Sequence, residues 1–289
     1  MKTLVLLDTH ALIHRAYHAL PKFTSKATGE PTGALYGLSA MLLKVIRELK
    51  PDYVVATFDT KEPTFRHEAY KDYKATRPTA DDDLIKQLIR SHDVVKAFGI
   101  PILFAPGFEA DDILGTIAEQ VKDFKIIIVS GDMDVLQLVD DDRVVVYTLR
   151  KGIEDTVIYD ETKVIERYGF PPKALPDFKG LKGDPSDNIK GVKGIGEKTA
   201  TDIIKNFGTL ENLYKEIEVG GAVGIKDRIL QLLIDFKEDA FFSKKLATIR
   251  RDVPIKFEAP GQTYQIDKKN LTNIFQTLGF ESLIKRIGI

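Results

Sequence analysis

Short runs rich in Val, Ile and Leu punctuate the first half of the chain, at residues 4–7, 53–58, 102–105, 126–129 and 144–147. Continuous apolar runs of this length are the mark of strands buried on both faces. Between them apolar positions recur at helical spacing. Leu84, Leu88, Val95 and Phe98 follow one another before Gly99 and Pro101 stop the pattern, and residues 35–49 behave likewise before Pro51. Strands alternating with helices predict an α/β fold on a mostly parallel central sheet flanked by helices. After Pro171 and Pro172 strand-like runs become scarce, and helical segments separated by Gly and Lys turns dominate. A boundary is therefore expected near residue 170, between an α/β region (1–170) and a helical region (171–289). Residues 253–263 read as extended and 268–287 as helical; no internal repeat or low-complexity tract is evident.

Composition narrows this picture. With 289 residues, 43% hydrophobic and 29% charged, the chain can bury a full core. No apolar run approaches a membrane span, and the start MKTLVLLDTH is too short and too soon acidic for a signal peptide. A cytoplasmic location with no membrane partner is the expectation. The chain has no cysteine, which excludes disulfides and thiolate metal sites and leaves oxygen or imidazole as metal donors. Such donors favour magnesium or manganese. The net charge of −1 gives no global basic field, so any nucleic-acid surface must be local.

Several apolar runs finish on aspartates. LVLLD ends at Asp8, VVATFD at Asp59, and IIIVSGDMD runs into Asp132 and Asp134. In a parallel sheet these ends share the edge where open α/β folds bind ligands, so the carboxylates should converge. Glu109, Asp111 and Asp112 open a helix, with Glu109 and Asp112 on one face. GDPSDN adds Asp184 and Asp187. Singly these have plainer readings, as complements to a helix dipole or as turn residues. Together they would raise one another's pKa values and repel unless cations intervene, and a pair of magnesium ions is the simplest neutraliser.

Basic and aromatic residues follow Asp59. Phe65, Tyr70 and Tyr73 are interleaved with Arg66, Lys71, Lys74 and Arg77. The pattern suits phosphate contact and stacking on unpaired bases, or an amphipathic surface helix. Farther on, GVKGIGEKTA supplies Gly191, Gly194 and Gly196, whose bare backbone can approach a phosphate, before a helix whose amino end attracts anions. It resembles a helix-hairpin-helix turn, with a plain helix–helix turn as the alternative. A P-loop is disfavoured, because Glu197 separates Gly196 from Lys198 and no strand precedes. His10, His14 and His18 repeat every four residues, a spacing open to zinc, packing or DNA contact.

The stretches LLDTHALIHRAYHAL, FDTKEPTFRHEAYKDYKATRP, EADDIL, SGDMDVLQLVD and KGLKGDPSDNIKGVKGIGEKTA, covering residues 4 to about 205, carry a family pattern. The chain resembles the 5′-nucleases of the flap endonuclease superfamily, and among them the 5′→3′ exonuclease domain at the amino end of bacterial DNA polymerase I. The resemblance implies a PIN/5′-nuclease-like domain with a helical arch about residues 62–90. It also implies a DNA-binding helix-hairpin-helix (helix-three-turn-helix) region about residues 175–210. Two magnesium ions, with manganese able to substitute, would lie on Asp8, Asp59, Glu109, Asp111, Asp112, Asp132, Asp134, Asp184 and Asp187. Arg66 and Lys74 would contact the scissile phosphate as catalytic residues. DNA contacts fall on His14, Arg15, Phe65, Tyr70, Tyr73 and Arg77, and on Gly191, Lys193, Gly194, Gly196, Lys198 and Thr199, with K⁺ at that turn. The implied reaction is 5′→3′ exonuclease and 5′-flap endonuclease cleavage in primer removal and repair. Implied partners are flapped, branched or nicked DNA, an RNA primer in hybrid, and a DNA polymerase in cis or in trans. The chain departs from the family at His14, where Tyr is common, at Met133, where Lys or Arg is frequent, and at Thr9, where Gly is common.

Two rival readings are a silent DNA-structure-binding module and a haloacid-dehalogenase-type phosphatase. The first gains nothing from negative charge near DNA. The second wants a second Asp at position 10, which is His10.

Overall fold

Every apolar run becomes a strand: β1 (Lys2–Asp8), β2 (Tyr53–Thr57), β3 (Ile102–Leu103), β4 (Phe124–Val129) and β5 (Val144–Lys151), joined by β6 (Asp155–Tyr159). This is a computed structural model and describes residues 1–141, 143–151, 155–259 and 262–287. The sheet order is β3-β2-β1-β4-β5-β6, parallel throughout except for β6, which runs antiparallel to β5. The run at 102–105 yields only a two-residue edge strand, because the chain turns out and leaves Phe104 exposed. The apolar pattern does not mark β6. It is an edge strand, mostly solvated, and lacks the continuous apolar run of its neighbours.

Helices cover both faces. In order they are α1 (Thr9–Ala19), α2 (Gly33–Leu49), α3 (Phe65–Ala69), α4 (Asp82–Ala97), α5 (Ala110–Gln120), α6 (Glu161–Tyr168), α7 (Leu175–Lys182), α8 (Glu197–Phe207), α9 (Leu210–Glu218), α10 (Asp227–Asp235), α11 (Lys237–Ala247), α12 (Lys268–Leu278) and α13 (Glu281–Ile284). Successive strand residues point to opposite sides, and two core layers result. Leu4, Leu6, Ile126, Ile128, Val144 and Val146 share a layer with α5 and with α7 to α11. Val5, Leu7, Val54, Ala56, Ile127 and Val129 meet α1, α2, α4 and α12. The first layer continues without a break through Phe178, Leu181, Ala200 and Leu213, so the helical part shares its core with the sheet.

The reading that the sequence holds no internal repeat needs correction. Gly191, Gly194 and Ile195 precede α8, and Gly221, Gly224 and Ile225 precede α10 at the same spacing. Gly194 (φ 88°) and Gly224 (φ 90°) adopt the same left-handed turn, each three residues before its helix. The similarity rests on so few positions that only the shared geometry makes it visible. The expected extended run at 253–263 forms no strand over 253–259 but docks along α5, where Val253 N–H donates to Thr116 Oγ1 (3.1 Å) and Phe257 N–H to Gln120 Oε1 (3.0 Å). Pro260 and Gly261 of that run lie outside the described residues.

Register places the chemistry. Asp8 is level with Thr57 across β1 and β2, and Leu7 with Val129 across β1 and β4. The chain therefore leaves these strands at one edge, carrying Asp8, Asp59 and Asp132 with it.

Candidate metal and phosphate centre

Two adjoining clefts open at that edge. One, of about 390 Å³, has Asp8, Asp59, Glu109, Asp111 and Asp132 on its acidic side, with Lys74, Arg77, Arg15 and the α1 histidines facing them. The other, of about 440 Å³, is bordered by Asp132, Asp134, Lys179 and Asp184, so Asp132 stands on the wall between the two. A larger cavity of about 620 Å³ beneath Tyr53, Pro101 and Tyr264 lies at the opposite end of β2, with no acidic or basic side chain in its lining.

Backbone geometry aims the first group. Asp8 caps α1 by accepting Ala11 N–H at Oδ1 (3.1 Å), and its Oδ2 accepts the Ser130 hydroxyl (2.5 Å). Ser130 Oγ in turn accepts Asp132 N–H (2.9 Å), and Asp132 Oδ1 accepts Asp134 N–H (2.8 Å). One chain of hydrogen bonds thus ties two carboxylates, those of Asp8 and Asp132, to the backbone that carries Asp134. Asp59 accepts Ala110 N–H (2.7 Å), so it sits against the amino end of α5, which carries Asp111. Burial pushes Asp8 up to about 7, against the pull of Ser130 and Ala11, with Asp59 and Asp132 adding repulsion. Burial also raises Asp111 well above the usual carboxylate range, helped by Asp8, Asp132, Asp59 and Glu109. Such crowding is what cation-binding carboxylates show when unneutralised.

The second group is tighter. Asp134, Asp184 and Asp187 each present an oxygen within 4.8 Å of the others. Asp184 and Asp187 ride a turn after α7 that closes through Asp184 N–H on Ile189 O (2.7 Å) and Ile189 N–H on Asp184 O (2.8 Å). Gly183 makes that turn possible, since it has φ 77° and a Cβ there would lie 2.6 Å from Ile189 O. Lys179 on α7 donates to Asp134 and to Asp184 Oδ2 (2.5 Å). Burial pushes Asp134 up to about 6, with Asp132 adding and Lys179 opposing. Burial would raise Asp184 too, but Lys179 and Ser186 hold it below its ordinary value. Every donor is a carboxylate oxygen, the set that suits a hard divalent cation. The Lys179 ammonium already stands among them as a cation would.

The predicted site residues divide. Lys74 reaches the first cleft, with Nζ on Glu109 Oε1 (2.6 Å), from a left-handed backbone (φ 56°) pinned by its N–H on Asp187 O (3.0 Å). Arg77 donates to Asp187 Oδ1 (2.6 Å). His14 stacks on His10 at 5.6 Å and lies tilted to His18 at 6.5 Å, and burial with these neighbours pushes it down to about 4. Among the described residues, the carboxylates and imidazoles already close enough to share an ion are Asp134, Asp184 and Asp187; the α1 histidines do not form such a group, and neither do Asp8, Asp111 and Asp132 as they stand. Phe65 lies against Phe108 and under the guanidinium groups of Arg66 and Arg250. Tyr70 is half-buried, edge-on to Phe242. Lys193, Gly194, Gly196 and Lys198 are exposed on the α7–α8 hairpin, with Thr199 half-buried and Gly191 buried in a left-handed turn (φ 63°).

Three expectations need correction. Arg66 and Asp112 do not face either cleft; they are buried and paired with each other. Asp112 therefore has no oxygen left for an ion, and Arg66 has no free face for a phosphate. Tyr73 is buried as well, its hydroxyl 3.0 Å from Asp187 Oδ2 and 3.2 Å from Glu109 Oε2, which leaves no ring face for a base. Conversely, nothing in the periodicity singles out Ser130 or Lys179. The available signals were position alone: Ser130 between β4 and Asp132, and Lys179 one helical turn before an acidic loop.

Comparison with known proteins identifies the family and the fold. Residues 3–169 match the family model "5′-3′ exonuclease, N-terminal resolvase-like domain", and residues 170–270 match "5′-3′ exonuclease, C-terminal SAM fold". DNA polymerase I of Bacillus subtilis (strain 168) is 39% identical over 290 residues, covering 99% of this chain and 32% of its own length. That of Chloroflexus aurantiacus is 40% identical over 293 residues, covering 98% and 30%. The chain spans about a third of the length of the curated relatives it matches. Among solved structures, bacteriophage T5 5′-exonuclease with bound zinc superposes with a TM-score of 0.70 at 21% identity, over 85% of this chain and 89% of that one. A T5 flap endonuclease complex with DNA and metal ions gives 0.70 at 19% identity, over 99% and 96%. At these identities the structural likeness speaks for the fold.

Proposed function

The chain belongs to the 5′-3′ exonuclease family, and from that premise we propose that it hydrolyses DNA phosphodiester bonds at 5′ ends and 5′ flaps, in primer removal and repair. The observation that carries this reading is the meeting of carboxylates from the ends of β1, β2 and β4, the start of α5 and the turn after α7 in two adjoining groups. Asp8, Asp111 and Asp132, with Asp59 and Glu109 at the rim, would hold one ion, and Asp134, Asp184 and Asp187 a second. Magnesium fits this oxygen set, with manganese as its substitute. When bound, such ions supply Lewis-acid polarisation of the phosphate and activation of water for in-line displacement.

The chain's own residues supply the rest. Lys74 and Arg77 hold positive charge beside the acidic cleft, where it can offset charge developing on phosphoryl oxygens. Arg66 acts at one remove, by fixing the start of α5. His14, uncharged near neutral pH, and Arg15 line the same cleft and are placed for an unpaired base and a phosphate. Phe65 and Tyr70 shape residues 62–90, the proposed arch over a 5′ single strand. Gly191, Lys193, Gly194, Gly196, Lys198 and Thr199 would grip the duplex backbone, with K⁺ at the turn, within a hairpin region about 175–210.

We take residues 1–170 as the nuclease part and 171–289 as the DNA-gripping part. The substrates are flapped, branched or nicked DNA, including an RNA primer in hybrid, with a DNA polymerase acting in cis or in trans and the work done in the cytoplasm. Among the described residues no helix is long and apolar enough to cross a membrane. The test is an end-labelled 5′-flap duplex incubated with Mg²⁺ and with EDTA. Cuts near the flap base leaving 5′-phosphate ends, seen only with Mg²⁺, are expected. Cutting that persists in EDTA, or none with Mg²⁺, would overturn the reading.

A further inference from the structure

The two acidic groups are neutralised unequally. Among the described residues, Asp8, Asp111 and Asp132 make no ion pair with Lys or Arg, whereas in the second group Lys179 bridges Asp134 and Asp184 and Arg77 holds Asp187. We propose that Lys179 is a displaceable counter-cation that sets the divalent affinity of the Asp134–Asp184–Asp187 group and keeps it weaker than that of its neighbour. The proposal rests on the two-ion reading above and goes beyond it by ordering the ions.

Lys179 is built for such a role. Its backbone is held firmly, with Phe178 and Leu181 buried on either side and its carbonyl accepting Gly183 N–H (2.8 Å). Gly180 presses α7 onto α11, where a Cβ would lie 2.9 Å from Ala240 O. The four-carbon stem is the free element, and an ammonium on such a stem is a mobile point charge. A divalent ion and an ammonium cannot share the same carboxylate oxygens without strong repulsion, so binding at this group must move Lys179 aside. In the neighbouring group the rim residue Glu109 is paired, with Lys74 and Arg66, but Asp8, Asp111 and Asp132 set no such condition.

The experiment is a Mn²⁺ titration of the DNA-free protein, followed by electron paramagnetic resonance and calorimetry. The parent should show two steps of unequal affinity. Lys179→Met should tighten the weaker step by about tenfold or more, the worth of a charge-assisted contact no longer competing, and leave the tighter step in place. Lys179→Arg should keep the parent's two steps. A purely structural ion pair would lower the melting temperature of Lys179→Met without tightening any step, and that result overturns the proposal. Should Lys179→Met fail to fold, the parent with ¹³C-methylated lysines decides: the Lys179 signal must move with the second equivalent of Mg²⁺, and an unmoved signal overturns the proposal. If flap cutting in Mg²⁺ stands while the titration shows no tightening, only the role of Lys179 falls.

Discussion

Arg66 and Asp112 meet in a two-pronged pair, Nη1 on Oδ2 at 2.7 Å and Nη2 on Oδ1 at 2.9 Å, with both side chains closed off from solvent. Arg66 Nε also donates to Leu246 O (2.8 Å) and Nη2 to Thr248 O (2.9 Å), while Asp112 Oδ1 accepts Arg250 N–H (2.9 Å). The pair therefore pins α3, the start of α5 and the end of α11 to one another. Glu109 and Asp111 sit at that pinned start. Arg66→Ala strands a buried carboxylate and should cost about 3–5 kcal/mol of unfolding free energy. Denaturant melts check this, and a variant as stable as the parent would show that Arg66 is not a structural anchor.

Lys74 should behave differently. Its side chain is partly exposed and reaches the cleft, so Lys74→Ala should leave the melting temperature near the parent's while slowing single-turnover cleavage about 100-fold, the loss typical of a removed transition-state donor. An unchanged rate would remove Lys74 from the reaction.

Acidity should act on the metal-free fold through Asp8. Its carboxyl titrates at about 7 in the fold against an ordinary 3.8, so between these values the fold holds a proton that the unfolded chain has lost. Stability from this group is therefore full at low pH and is lost as pH rises through the window. In EDTA, the parent should lose stability relative to Asp8→Asn as pH is raised from about 4 to about 7. His14 runs the other way: its pKa is lowered from 6.5 to about 4, so acidification across that range costs stability, which is why the comparison is made against the single variant. A parent–variant difference that does not change with pH contradicts the shift.

Ser130 gives a fourth test. Its hydroxyl joins Asp8 to the Asp132 backbone, so Ser130→Ala should weaken divalent binding about 10–100-fold, as loss of a ligand-orienting partner generally does. A Mn²⁺ titration superimposable on the parent's would reduce Ser130 to a packing residue.

Much of this site is legible along the chain because it depends on strand ends. Asp8, Asp59 and Asp132 follow apolar runs, parallel pairing makes their exits level, and convergence follows from those two facts alone. What stayed hidden depends on contacts far apart in sequence. Asp112 looks like Asp111, its neighbour on α5, yet one turns into the protein to meet Arg66 and the other faces the cleft. Tyr73 reads as a stacking residue until Glu109 and Asp187 are found around its hydroxyl. Lys179 reads as one more helical lysine until the acidic turn folds back over it. The second hairpin at Gly221–Gly224 shares too few residues with the first to register before the matching backbone turns are seen.

The most direct test is anomalous diffraction from crystals of the protein soaked in Mn²⁺. Two peaks are expected, one among Asp8, Asp111 and Asp132 and the other among Asp134, Asp184 and Asp187. Manganese at the α1 histidines alone, or at neither carboxylate group, would contradict the account.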